Sequence, residues 1–243
     1  PLVGGPQRVL IATAEAYVDL VREQVPDLPG ANLLVEPVGR DSAPAIALAA
    51  LQVRQRFGDV VMGVFASDHR VADVAGFQHT VREAMTLARR ENGLVTVGIR
   101  PTRPATGYGY LERGESLDPG FRVARFVEKP SRATAEAYLA GGRHLWNAGM
   151  FVWRVEVVLV ELDRHAPELM APLRAAFESG TVAQRFASLP KISIDYAVME
   201  KATAVHAVAG DFGWDDIGDW LALERLLPKV EGASRIVTGK HAG

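Results

Sequence analysis

Short apolar runs alternate with stretches of helical spacing over the first hundred residues. Residues 8–13 are apolar over a strand's length, and residues 14–25 repeat apolar positions at Ala14, Tyr17, Val18 and Val21 before Pro26 stops them. Residues 33–36 predict a second strand. Asp41 or Ser42 then caps a helix over residues 43–57, with Pro44 tolerated in its first turn. Residues 60–65 are almost continuously apolar, as in a parallel strand covered on both faces. Residues 76–92 have helical spacing, and residues 94–99 form the next strand. The succession βαβαβαβ predicts a doubly wound α/β sheet.

After Pro101 the pattern changes. Residues 108–112 and 121–128 alternate more regularly and are separated by a Gly/Pro loop; residues 134–140 read as a short helix and 145–154 as a strand. This half is expected to extend the sheet and carry a ligand lobe. Residues 155–165, 168–179 and 193–201 look helical, residues 204–208 form a strand, and residues 220–227 a closing helix. Beyond Pro228 the chain is polar and glycine-containing, like a linker or the beginning of another module. It opens at Pro1 without a methionine, on a segment that reads as a loop leading into a strand that is not the first of its sheet, so it is expected to be an excised piece.

Composition narrows the chemistry. At 243 residues, 48% hydrophobic and 23% charged, the chain can bury one sizeable core. A net charge of −2 with no long basic run supports neither nucleic-acid binding nor a polybasic membrane surface. The absence of cysteine excludes disulfides, thiolate metal sites and a cysteine nucleophile, and fits a reducing, cytoplasmic interior. No stretch reaches transmembrane length.

Candidate chemistry collects where strands end, which is where open parallel sheets bind ligands. Glu128-Lys129-Pro130 closes one strand and Asn147-Ala148-Gly149 breaks another, placing a cation, a carboxylate and an amide together, as a phosphorylated polyol requires. The same residues also suit a solvated strand end and a turn. Asp68 appears where an apolar run stops, placed to hold a hard cation such as Mg²⁺ or to cap the following turn; His69 beside it orients the loop. Asp215, Asp216 and Asp219 lie among two tryptophans and two glycines, where burial calls for a partner: a metal, or a helix N-terminus capped by Asp216 or Asp219. Residues 36–46 join a strand end, a glycine turn and a helix start, a place where backbone amides approach a base or a phosphate. No G-x-G-x-x-G and no Walker sequence occurs, which argues against a dehydrogenase or a P-loop NTPase.

The series EPVGRDSAPAIALAA, FASDH, GIRPTRPATGYGYLERGE, FVEKP, LWNAGMFVW, LPKISIDYAVMEK and FGWDDIGDW closely resembles the mannose-1-phosphate guanylyltransferases of the sugar-phosphate nucleotidyltransferase superfamily, in order from about residue 8 to 227. The resemblance implies a Rossmann-like α/β domain with a mostly parallel mixed sheet flanked by helices. It implies that mannose 1-phosphate attacks the α-phosphorus of GTP with Mg²⁺, giving GDP-mannose and pyrophosphate. It makes Asp68 and Asp216 the metal-holding aspartates and Lys129 the lysine on the sugar phosphate. Gly109, Glu128 and Asn147 become sugar contacts, with Asp195 touching the sugar or supporting the site. Glu36, Gly39, Arg40, Asp41 and Ser42 fall where the guanine is read, although the usual Gly-Arg-Asn-Thr is Gly-Arg-Asp-Ser here. Nucleic acid and membrane are not implied as partners, and a homodimer is compatible.

The departure is at the front. Family members begin with a strand and a glycine-rich GGxGTRLWP loop followed by a lysine, which clamp the triphosphate, and neither occurs here. Residues 1–227 are thus expected to be a nucleotidyltransferase domain without its first strand and that loop, and residues 228–243 a linker or the start of a C-terminal module. Two rivals stay open: a nucleotidyltransferase using UTP or dTTP, and a non-catalytic sugar-nucleotide-binding paralogue.

Overall fold

The computed structural model describes residues 2–218 and Ala222. Strand β1 (Ile11–Ala14) pairs in parallel with β2 (Leu33–Glu36), Ile11 opposite Leu33, and the two form a small sheet of their own. The link between them contains the short helix α1 (Val18–Gln24). Six further strands make the second sheet: β3 (Val61–Val64), β4 (Leu94–Ile99), β5 (Tyr110–Ser116), β6 (Phe121–Val127), β7 (His144–Arg154) and β8 (Val205–Gly210), in the order β3-β7-β4-β8-β6-β5. β5 also pairs with the start of β7, Tyr110 opposite Trp146, so the sheet curls back on itself.

The expected mostly parallel mixed sheet holds for strand directions and needs correction for neighbours. β3, β4, β5 and β8 share a direction, but β7 lies between β3 and β4 and runs against both, so β4–β8 is the one parallel pair of this sheet among the described residues. An apolar run reports burial of both faces and is silent about the direction of the neighbour. β3 is also only half-buried, because it stands at the sheet's edge and not at its centre. Two smaller differences are local. Pro6–Arg8 forms a 3-10 turn that delays β1, and Asp195–Met199 winds as a π-helical turn inside the segment expected to be α-helical.

Helices α2 (Ser42–Phe57), α5 (Val155–His165) and α6 (Pro167–Glu178) cover one face of the large sheet, and α3 (Val74–Glu91) covers the other. The alternation of β7 serves both layers. Phe151 and Trp153 enter the α2/α5/α6 core, while Val152 packs with Val95, Val208 and Leu87 against α3. Trp153 is fully buried, and its truncation to Ala would cost about 3–5 kcal/mol. α4 (Arg132–Gly141) and α7 (Val182–Arg185) complete the described helices, none of which is long and apolar enough to cross a membrane. Of the predicted helix over residues 220–227 only Ala222 is described; residues 228–243 lie outside the described residues.

Candidate active site

β6 ends at Val127, and the chain turns through Glu128 and Lys129, the latter in the left-handed region at φ 46. The Glu128 backbone N–H donates to Glu200 Oε1 at 2.8 Å, which fixes the turn. Its side chain is 9% exposed, with Lys129 Nζ 3.5 Å from Oε1. Burial, and then the negative charge of Asp195, push the Glu128 carboxyl up to about 7; Lys129, itself 56% exposed, only partly opposes them. Asp195 opens the π-helical turn, and burial raises its carboxyl against the hydrogen bond from Asn147 Nδ2 at 3.0 Å. Gly109 completes this corner. Its carbonyl accepts from the Asn147 N–H at 2.8 Å, and a Cβ there would lie 2.5 Å from Glu128 Oε2, so a larger residue would have to push that carboxylate aside.

Asp68 and Asp216 arrive on two loops, one after β3 and one after β8. The loops are tied antiparallel: the Arg70 N–H donates to the Asp215 carbonyl at 2.8 Å, the Asp215 N–H to the Arg70 carbonyl at 3.2 Å, and the Ala72 and Asp73 N–H groups both to the Phe212 carbonyl at 3.0 Å. Both carboxylates act on His69 between them, but burial dominates and lowers the imidazole's pKa. His69 Nδ1 accepts from Trp214 Nε1 at 3.3 Å. Asp216 Oδ1 accepts from the Tyr108 hydroxyl at 2.7 Å and from the Gly218 N–H at 3.3 Å. Burial and the Asp216 charge raise the Tyr108 pKa, keeping it a donor. The cap of α3 is Asp73, which accepts from the Ala75 and Gly76 N–H groups at 3.0 Å. Asp216 does make a turn contact with Gly218, alongside its bond to Tyr108.

Two contacts knit these carboxylates to the Glu128–Asn147 corner. The Tyr108 ring meets Trp146 at 5.1 Å and Trp214 at 5.4 Å, with the Arg103 guanidinium over both Tyr108 and Trp146. Gly149, two residues after Asn147 and at φ 65, faces the His69 ring, whose Cε1 would be 3.7 Å from a Cβ there. Among the described residues no three or more His, Cys, Asp or Glu side chains form a metal cage. Two hard carboxylates at one corner nevertheless fit Mg²⁺, which takes few protein ligands and keeps positions for water and phosphate oxygens.

The β2–α2 turn forms a third corner. Glu36 is 9% exposed, and burial raises its carboxyl against the hydrogen bond from the Arg40 backbone N–H. Asp41 sits at φ 66 and caps α2 by accepting from the Ser42 N–H at 2.7 Å. Ser42 Oγ accepts from the Ile194 N–H at 2.9 Å, which ties this turn to Asp195. Among the described residues, nothing lies within 4 Å of a Cβ at Gly39, and Arg40 Nε is buried without a hydrogen-bond partner. A buried donor lacking an acceptor suits an incoming phosphate or base.

Asp219 lies outside the described residues; every other predicted site residue falls in one of three corners. Sequence reasoning missed Tyr108 and Arg103. Of the four non-glycine residues with positive φ among the described residues, Asp41, Lys129 and Ile217 flank these corners and Asn92 ends α3. Such strain gathers at functional sites. Two cavities of about 300 and 380 Å³ lie elsewhere, around Gly120 and around His144, and hold no predicted site residue.

The model of the family described as nucleotidyl transferase matches residues 2–232. The chain is 42% identical over 236 residues to the mannose-1-phosphate guanylyltransferase of Klebsiella pneumoniae, covering 91% of this chain and 50% of that one. It superposes with a TM-score of 0.84 and 36% identity on a Thermus thermophilus protein described as mannose-1-phosphate geranyltransferase, covering 91% of this chain and 64% of that one. A Helicobacter pylori structure described as mannose-6-phosphate isomerase matches at a TM-score of 0.76 and 29% identity, with 86% and 84% covered. The chain spans about half the length of the curated relatives it matches.

Proposed function

The chain belongs to the nucleotidyl transferase family, and on that premise we propose that it transfers GMP from GTP to mannose 1-phosphate, giving GDP-mannose and pyrophosphate. The observation that carries this reading is the meeting of a two-aspartate corner with a buried carboxylate–amide corner, through Tyr108 on Asp216 and His69 beside Gly149. In the proposed step a phosphate oxygen of mannose 1-phosphate bonds to the α-phosphorus of GTP. The bond from that phosphorus to its bridging oxygen breaks and pyrophosphate leaves. The nucleophile is already an anion near neutral pH, so the protein's task is positioning and charge neutralisation and not proton removal.

Lys129 supplies the charge on the sugar phosphate, while Glu128, Asn147 and Asp195, with the space left by Gly109, hold sugar hydroxyls. Glu36, Gly39, Arg40, Asp41 and Ser42 receive the guanine side, where the unpartnered Arg40 Nε awaits an acceptor. Asp68 and Asp216 would hold Mg²⁺, which would offset negative charge on the phosphates when bound. A chain with no cysteine suits a cytoplasmic setting.

We assign residues 1–227 to the nucleotidyltransferase domain and residues 228–243 to a linker or a further module. Among the described residues β3 pairs on one side only and β1 pairs only with β2. The test is pyrophosphate release by the full-length protein supplied with GTP and mannose 1-phosphate. Faster turnover with UTP or dTTP would overturn the guanine assignment, and binding of mannose 1-phosphate without pyrophosphate release would assign a binding role instead.

A further inference from the structure

β4 and β7 fall out of step beside the site. Thr96 lies opposite Phe151 and Gly98 opposite Asn147, so a single residue of β4 faces three of β7. The extra residues of β7 bulge out through Gly149 at φ 65. Thr96, fully buried, closes the mouth of this bulge. Its Oγ1 is 2.7 Å from Asn147 Oδ1 and 3.0 Å from the Met150 carbonyl oxygen.

Two other bonds show which way the Asn147 carboxamide points. The Gly149 N–H can only donate, and it reaches Asn147 Oδ1 at 3.3 Å; the Asp195 carboxylate accepts from Nδ2 at 3.0 Å. Oδ1 therefore faces the bulge, and the Thr96 hydroxyl, which has one proton to give, donates to it at the shorter of its two distances. With Oδ1 taken by two protein donors, Asn147 offers the site only N–H. One is held by Asp195. The other has no partner among the described residues, and Nδ2 lies on the side of Gly109, 3.6 Å from where a Cβ of that residue would be.

We propose that Thr96 is a positioning residue that locks Asn147 as a donor, so that the sugar oxygen bound there must accept from Asn147 and is left to donate its own hydrogen bond to Glu128 when that side chain is ionised. This inference rests on the proposed function. It makes the pair selective for a hydroxyl that can accept and donate at once, and it places the selecting group on a strand residue that touches no substrate.

The test compares Thr96→Val, which keeps the shape and loses the hydroxyl, with Thr96→Ser, which keeps the hydroxyl, in the full-length protein. Thr96→Val is expected to raise KM for mannose 1-phosphate about tenfold, the effect of one lost hydrogen bond, and to leave KM for GTP within about twofold. Thr96→Ser should restore the wild-type values, as a merely structural role for the methyl group would not. Among monodeoxy mannose 1-phosphates, one analogue should be bound equally by wild type and Thr96→Val, because it lacks the hydroxyl that Asn147 serves. Should the valine variant not fold, Thr96→Ala gives the same readout. Equal losses for both substrates, an unchanged KM for mannose 1-phosphate, or a tenfold effect on every deoxy analogue overturns the lock. Isothermal titration separates the two levels: a wild type that binds no mannose 1-phosphate sinks the functional reading, whereas a binding wild type with unchanged Thr96→Val affinity sinks only this inference.

Discussion

Replacing Glu128 by Gln should make the protein more stable, increasingly so as the pH rises. The Glu128 side chain is 9% exposed, and burial with the charge of Asp195 holds its carboxyl at about 7 against an ordinary 4.5. A raised carboxyl pKa means that the folded protein binds this proton more tightly than the unfolded chain does. The stability linked to it is fully present below 4.5 and is lost as the pH climbs to about 7. Above that, the folded state carries a buried charge that costs about 3 kcal/mol, from the gap between the two values at about 1.4 kcal/mol per pH decade. Lys129 is 3.5 Å away but 56% exposed, too solvated to cancel this. Gln has the same size and no charge. Glu128→Gln should therefore lie close to wild type near pH 4.5 and exceed it at pH 8 by up to about 3 kcal/mol, roughly 6–12 °C in Tm for a chain of this length. Thermal or urea unfolding of both proteins from pH 4.5 to 8 measures the difference. Parallel curves, or a wild type that gains on the variant as pH rises, would show that the carboxyl is not held near 7. Activity should fall in the same variant, the usual exchange of stability for function at a strained site.

Asp68→Asn and Asp216→Asn should each lower turnover by orders of magnitude while circular dichroism stays that of wild type; full activity in Asp216→Asn would reduce that residue to its structural bonds with Tyr108 and Gly218. Lys129→Met should raise KM for mannose 1-phosphate far more than KM for GTP, as a point charge on the sugar phosphate requires, and equal losses would leave it a support of the fold. Gly109→Ala puts a Cβ 2.5 Å from Glu128 Oε2 and must displace that carboxylate, so KM for mannose 1-phosphate should rise about tenfold; an unchanged KM would mean that Glu128 has room to move.

Much of this was legible along the chain, for identifiable reasons. The boundaries of β2 and α5 follow directly from apolar runs and breakers, and residues at strand ends formed all three corners. What the pattern could not carry was pairing. The periodicity of β7 reports two buried faces, yet nothing in it tells that β7 inserts between β3 and β4, or that it bulges. Tyr108 lay inside a recognisable TGYGY segment, but its bond to Asp216 spans more than a hundred residues and has no local signature. Thr96 is harder still, because a threonine in a strand looks like any half-buried strand residue until the bulge opposite it is seen. Glu128 was singled out as a charged strand end; that its side chain would be buried beside a second carboxylate depends on the π-helical turn at Asp195, which sequence periodicity reads as ordinary helix.

That turn also explains how the corners proposed for the sugar and the nucleotide keep a fixed separation. Ser42, the first residue of α2, accepts from the Ile194 N–H at 2.9 Å, and the Ala43 N–H donates to the Ile192 carbonyl at 3.1 Å. The next residue, Asp195, holds Asn147 at 3.0 Å. One backbone segment therefore touches both the turn proposed to read the base and the amide proposed to hold the sugar. Ala197, Val198 and Met199 are buried in the core shared with α2, α5 and α6, which anchors the segment on rigid elements. In-line transfer needs the attacking oxygen within about 3–3.5 Å of phosphorus, a tolerance that two independently moving loops would not keep. A π-helical turn suits this task, since its wider winding redirects a side chain without ending the helical segment, and such turns recur at functional sites. The positive φ values of Asp41, Lys129 and Ile217 fit the same account: each corner holds its side chain in place by a local strain that only a well-packed surround sustains.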